Sequence, residues 1–161
     1  MTRKWVVNSS PLIILGKLSQ ISFLIDLSDS FVIPKAVADE IKQGPSDDPA
    51  KLWLSDKGIG FIEETPPLRS VVASWDLGSG ESHVLNWTSL NNGYEAILDD
   101  LAARKCAQAL SIPVRGTLGV LLLAKKTGLI PELAPLLSGL SDAGFHIDPS
   151  ILNTVRHLSG E

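Results

Sequence analysis

A chain of 161 residues with 44% hydrophobic composition and a mean hydropathy of +0.19 has apolar material for one full core, which excludes a disordered segment and gives a single domain over residues 1–161. Fourteen basic against eighteen acidic residues leave a net charge of −4, which excludes gripping nucleic acid by overall charge alone, so any polyanion site has to be local. One cysteine, Cys106, excludes an intrachain disulfide and a multi-cysteine zinc site, and with no export leader and no apolar run of about 18 residues the expected location is cytoplasmic, without a membrane span.

Residues 5–7 are an apolar, β-favouring run, and Asn8-Ser9-Ser10-Pro11 has the chemistry to end a strand and cap a helix. Short apolar helices are expected over 12–18 and 21–27, then a buried strand over 31–33 stopped by Pro34, which is placed in the first turn of the next helix. That helix, 35–43, sets Val37 and Ile41 four apart on one face and ends at Gly44-Pro45. Residues 46–67 read as a surface excursion, with a helical piece over 50–54 and a strand over 59–62.

Asp76-Leu77-Gly78-Ser79-Gly80-Glu81 opens a helix that runs to residue 90, and Asn91-Asn92-Gly93 stops it. A strand over 94–98 follows, with Asp99-Asp100 at its carboxyl end, then an Ala-rich helix over 101–110. Val114 starts a short strand, 116–126 is helical, and helices over 132–143 and 149–158 flank an edge strand at 145–147. Strands alternating with helices imply βαβ units, hence a three-layer α/β/α sandwich around a mainly parallel sheet, whose ligand site lies at the carboxyl ends of its strands.

Asn8 and Asp99-Asp100 stand at those ends, and Glu40 and Glu81 reach the same edge if their helices flank it. Carboxylates crowded together raise one another's pKa, so such a pocket calls for a cation or retained protons; oxygen donors select Mg²⁺ or Mn²⁺. The competing interpretation makes Glu40 and Glu81 helix-surface charges and Asp99 or Asp100 an N-cap. His83, His146 and His157 lack ligand spacing, and Gly78-Ser79-Gly80 lacks the third glycine of a dinucleotide loop, His83 standing there. The basic pairs Arg3/Lys4, Arg104/Lys105 and Lys125/Lys126 read as solvated faces before they read as polyanion contacts.

Val6-Val7-Asn8-Ser9-Ser10-Pro11-Leu12-Ile13, Val32-Ile33-Pro34 through Glu40-Ile41, Leu77-Gly78-Ser79-Gly80-Glu81, Ile97-Leu98-Asp99-Asp100 with Ala103-Arg104, and Gly116 to Lys125 with Gly128-Leu129-Ile130 together resemble the PIN-domain superfamily, in a small prokaryotic branch. The resemblance implies a Mg²⁺- or Mn²⁺-dependent ribonuclease that acts as the toxin of a toxin–antitoxin pair, with RNA as substrate, a small antitoxin protein as partner and a homodimeric state. By position, the family's four acidic places fall on Asn8, Glu40, Glu81 and Asp100, with Asp99 beside the last, and its hydroxyl places on Ser9 and Ser10. An amide at position 8 removes one negative charge where the cation would sit; weaker metal binding is expected, and the alternative is a catalytically impaired module that binds RNA or protein.

Overall fold

Trp5, Val6 and Val7 have no solvent exposure, so strand β1 (Lys4–Val7) is covered on both faces, as the middle of a parallel sheet requires. The computed structural model describes residues 2–161. In it, β1 lies between β2 (Ser30–Pro34) and β4 (Tyr94–Ile97), with β3 (Ile62–Glu63) and β5 (Val114–Arg115) at the edges. All four pairings are parallel, the order is β3-β2-β1-β4-β5, and Val6 stands opposite both Val32 and Ala96.

Helices make every crossover. α1 (Ser9–Lys17) and α2 (Ser22–Asp26) join β1 to β2; α3 (Lys35–Lys42), α4 (Pro49–Asp56) and a 3₁₀ turn (Gly58–Phe61) lead to β3. α5 (Ser70–Ala73) and α6 (Ser79–Leu90) return to β4, α7 (Leu101–Ala109) leads to β5, and α8 (Thr117–Lys126), α9 (Ala134–Asp142) and α10 (Pro149–Ser159) follow. The result is a three-layer α/β/α sandwich. The chain runs outward from β1 through β2 and β3, then crosses to β4 and β5 on the other side. The order therefore reverses between β1 and β4, and the carboxyl ends of those two strands form the crevice where open α/β sheets bind ligands.

Several boundaries differ from the sequence expectation. Residues 46–67 are more than a surface excursion: Ala50 and Leu54 of α4 are buried, Trp53 stacks on Phe61 at 6.3 Å, and Ile62–Glu63 supplies the β3 edge. The strand expected over 59–62 is a 3₁₀ turn for most of that span, since Gly58 and Gly60 favour a turn over an extended run. Pro34 ends β2 and stands just before α3 at φ −58°, ψ 143°, outside the first turn. No strand forms at 145–147; that segment is irregular after Gly144, whose φ of +89° turns the chain out of α9. α5 was not expected, being a single turn with no periodic signal.

Candidate functional site at the carboxyl edge of the sheet

Asn8 is the residue at which β1 becomes α1. Its backbone N–H donates to Ile97 O at 2.9 Å, which ties the end of β1 to the end of β4. Asparagine before a helix normally turns its side chain onto a first-turn amide. Here no such cap forms; Asn8 Nδ2 donates to Glu81 Oε1 at 3.3 Å instead. Only 1% of Asn8 is exposed, and its Oδ1 is buried without a donor among the described residues. Leaving such an acceptor unsatisfied costs about 1–3 kcal/mol, so the atom calls for a water or a cation beyond the protein's own donors.

Glu40 comes from α3, which buries Val37, Ala38 and Ile41 in the core and leaves Glu40 half-buried at the margin of that face. Ser9 Oγ donates to Glu40 Oε2 at 2.8 Å, and the Gly80 backbone N–H donates to Glu40 Oε1 at 2.8 Å. Gly80 is the close-approach residue of the site. A Cβ there would stand 2.7 and 2.9 Å from the two Glu40 oxygens and 3.0 Å from Asn8 Oδ1. Those three acceptors thus converge on a bare Cα.

Glu81 sits in the first turn of α6, where the helix dipole favours a negative charge. Its Oε2 folds back over Gly78, 2.6 Å from the point a Cβ would take. The Gly-rich run before α6 therefore has a steric purpose at both of its flanking glycines.

Hydrogen bonds pair Asn8 with Glu81 and Ser9 with Glu40, chain neighbours 8–9 and 80–81 bring the two pairs together, and the other expected residues stay outside. Asp99 accepts from Thr117 N at 2.8 Å and Thr117 Oγ1 at 2.6 Å, across the start of α8. Asp100 is the N-cap of α7 and accepts from Ala103 N at 2.9 Å. Ser10 is exposed on the first turn of α1. Among the described residues no three His, Cys, Asp or Glu side chains gather as a metal-ligating cluster. Two residues of the quoted stretches take roles beyond those expected: Thr117, fully buried and holding Asp99, and Gly80, which donates to Glu40. The G-S-G spacing was the available signal for Gly80; a lone threonine after a glycine offered none.

The donor set suits a hard cation of low protein coordination. Mg²⁺ typically takes one or two carboxylates and keeps several waters. Glu40 and Glu81 are two carboxylates, and Asn8 Oδ1 is an acceptor lacking a partner, so these residues fit one such ion.

A parallel α/β/α sandwich thus carries carboxylate and amide oxygens at its switch point. A family model described as PIN domain matches residues 4–161, and the chain belongs to that family. PIN domains are generally nucleases and typically use divalent metals. No curated protein matches the chain. No helix among the described residues is long and apolar enough to cross a membrane.

Proposed function

We propose that the chain is a metal-dependent endoribonuclease whose Asn8, Glu40 and Glu81 hold one Mg²⁺ or Mn²⁺, with Asp99 and Asp100 beside them at the sheet edge. The observation that carries this reading is the buried, donorless Asn8 Oδ1 facing the Glu40 carboxylate. A divalent cation held there supplies Lewis acidity toward a phosphodiester and lowers the pKa of water near it.

The chain's own groups do the positioning. Ser9 and the Gly80 N–H fix both oxygens of Glu40, and the Asn8 amide is oriented by Glu81 so that its oxygen, not its nitrogen, is the free atom. Burial of Asn8 keeps bulk water from competing for that oxygen. The toxin role, a small antitoxin covering the pocket, the homodimer and a cytoplasmic location rest on the family resemblance and the lack of a membrane-spanning helix.

A second reading is a binding module without catalysis. Two observations favour it: an amide where the family's first acid falls, and Asp99 and Asp100 both engaged at helix starts. Purified protein incubated with a mixed structured and single-stranded RNA pool separates the two. Cutting with Mn²⁺ that EDTA and Glu40→Gln abolish is the expected result. RNA retention with no cutting under any divalent metal would transfer the assignment to the binding module.

A further inference from the structure

A cavity of about 670 Å³ that does not contain Asn8, Glu40 or Glu81 opens at the β5 edge of the same sheet end, against Asp99 and Gly116. Its walls carry two guanidinium groups, and both have donors to spare. Arg115 donates through Nε to Glu95 Oε1 at 3.0 Å, and neither of its Nη groups has an acceptor among the described residues. Arg104 is exposed and has no acceptor among them at all. A Cβ on Gly116 would stand 3.0 Å from Arg104 Nη1, so the guanidinium lies close over that glycine.

Three carboxylates share the cavity, each already accepting hydrogen bonds, and Asp99 Oδ1 lies 2.9 Å from the same Gly116 point that Arg104 Nη1 approaches at 3.0 Å. Glu95 accepts from Arg115 and from Trp5 Nε1 at 2.9 Å, Asp99 from Thr117, and Asp148 from Ser150 N at 2.8 Å and Oγ at 2.7 Å. Asp99 also occupies the start of α8, so an incoming anion would meet the arginines and not the helix end. Arg115 is held in place: its guanidinium lies 5.9 Å from the Trp5 ring, and its stem fills the space beside Gly119, 2.9 Å from where a Cβ would be. Phe145, Ile147 and Leu118 form an apolar ledge in the same hollow.

The geometry points to this cavity as the seat of a nucleotide that flanks the cleaved bond, with Arg104 and Arg115 gripping the phosphodiester of a single-stranded RNA and the apolar ledge taking a base. Arginine forks match phosphate oxygens, and base faces stack or pack on apolar side chains without regard to sequence. The inference rests on the ribonuclease reading for its choice of ligand. Glu95, Asp99 and Asp148 outnumber the two guanidiniums there, so the grip would come from unused N–H donors and not from a positive field.

The test is fluorescence anisotropy of a labelled single-stranded RNA 12-mer, titrated in EDTA over a series of salt concentrations. Arg104→Ala removes a cation that supports no internal bond, so folding is retained; Lys126→Ala removes the same charge from the far end of α8 as a control. The expected result is affinity weakened about five- to tenfold by Arg104→Ala, with the salt slope reduced by about 0.7, and little change for Lys126→Ala. Arg104→Lys should fall between, keeping charge but losing the fork. Equal affinities for Arg104→Ala and Lys126→Ala would overturn the inference, as would an acidic decapeptide whose binding, but not that of RNA, depends on Arg104. Cutting with Mn²⁺ by a protein that binds RNA equally well without Arg104 sinks this inference alone; Arg104-dependent binding without any cutting supports it and sinks only the catalytic reading.

Discussion

Asn8→Asp replaces a donor by a second carboxylate against Glu81, at a place where the present amide nitrogen and Glu81 Oε1 are 3.3 Å apart. At that separation and an effective dielectric of about 20, two unit charges repel by about 5 kcal/mol. Glu81 is only partly buried, so solvent screening lowers the expected loss to about 2–3 kcal/mol at pH 7 in EDTA. For a domain of this size that is a drop in Tm of about 4–12 °C. Two routes relieve it. One carboxyl of the pair will have its folded-state pKa raised above the unfolded value, so the variant regains stability as pH falls and loses it as pH rises through the raised pKa. A divalent cation relieves it at pH 7. Differential scanning fluorimetry at pH 5 and 7 in EDTA, and at pH 7 with Mn²⁺, reads all three arms. A variant as stable as wild type in EDTA at pH 7 and unmoved by Mn²⁺ would refute the claim that position 8 faces Glu81 at the cation's place.

Asp100→Asn should change stability by no more than a few tenths of a kcal/mol, because asparagine caps as well as aspartate, whereas Asp100→Ala should cost about 1 kcal/mol; urea melts of both separate the cap from any effect of charge on cleavage. Gly80→Ala gains about 1 kcal/mol of helix propensity but drives the Glu40 carboxylate from its two charge-assisted bonds, for a net loss of about 1–3 kcal/mol and weaker Mn²⁺ binding by calorimetry. Glu161 accepts from the Leu133 and Ala134 amides, which hold its carboxyl below the usual glutamate range. The stability this brings is present above the unfolded pKa and lost as pH falls through the folded one. Hydrogen exchange of those two amides should therefore quicken in acid relative to neighbouring α9 amides, and Glu161→Gln should flatten the difference.

The fold was legible where apolar patterning and stop signals agreed. Trp5-Val6-Val7 ahead of Asn-Ser-Ser-Pro, and the strand before Asp99, gave the two strands that frame the crevice. Val37 and Ile41 marked the buried face of α3, and Glu40, three residues after Val37, follows at its margin. The region from 46 to 67 was not legible, because β3 is two residues long and its apolar partners, Trp53 and Phe61, lie on different elements. For the site, sequence order put Asn8, Glu40 and Glu81 at one edge. The N-cap alternative weighed for Asp99 or Asp100 holds for Asp100, whereas the partner of Asp99, Thr117, lies 18 residues away and spacing does not pair them. The Asn8 amide was visible as a missing charge, but that its nitrogen would bind Glu81 and leave the oxygen bare is a matter of rotamer and burial, beyond the reach of spacing.

The position of β1 in the sheet also constrains synthesis. It leaves the ribosome well before one of its two neighbours, β4, which spans Tyr94–Ile97. Until that stretch emerges, Trp5, Val6 and Val7 have at most β2 beside them, and an apolar strand waits with one side open to chaperones or to other nascent chains. Glu81 and the Ile97 carbonyl that fix Asn8 arrive with the same late segments. A half-made chain thus lacks the groups that hold Asn8, and the interval between translation of the first strand and of the fourth must pass before that cluster can form.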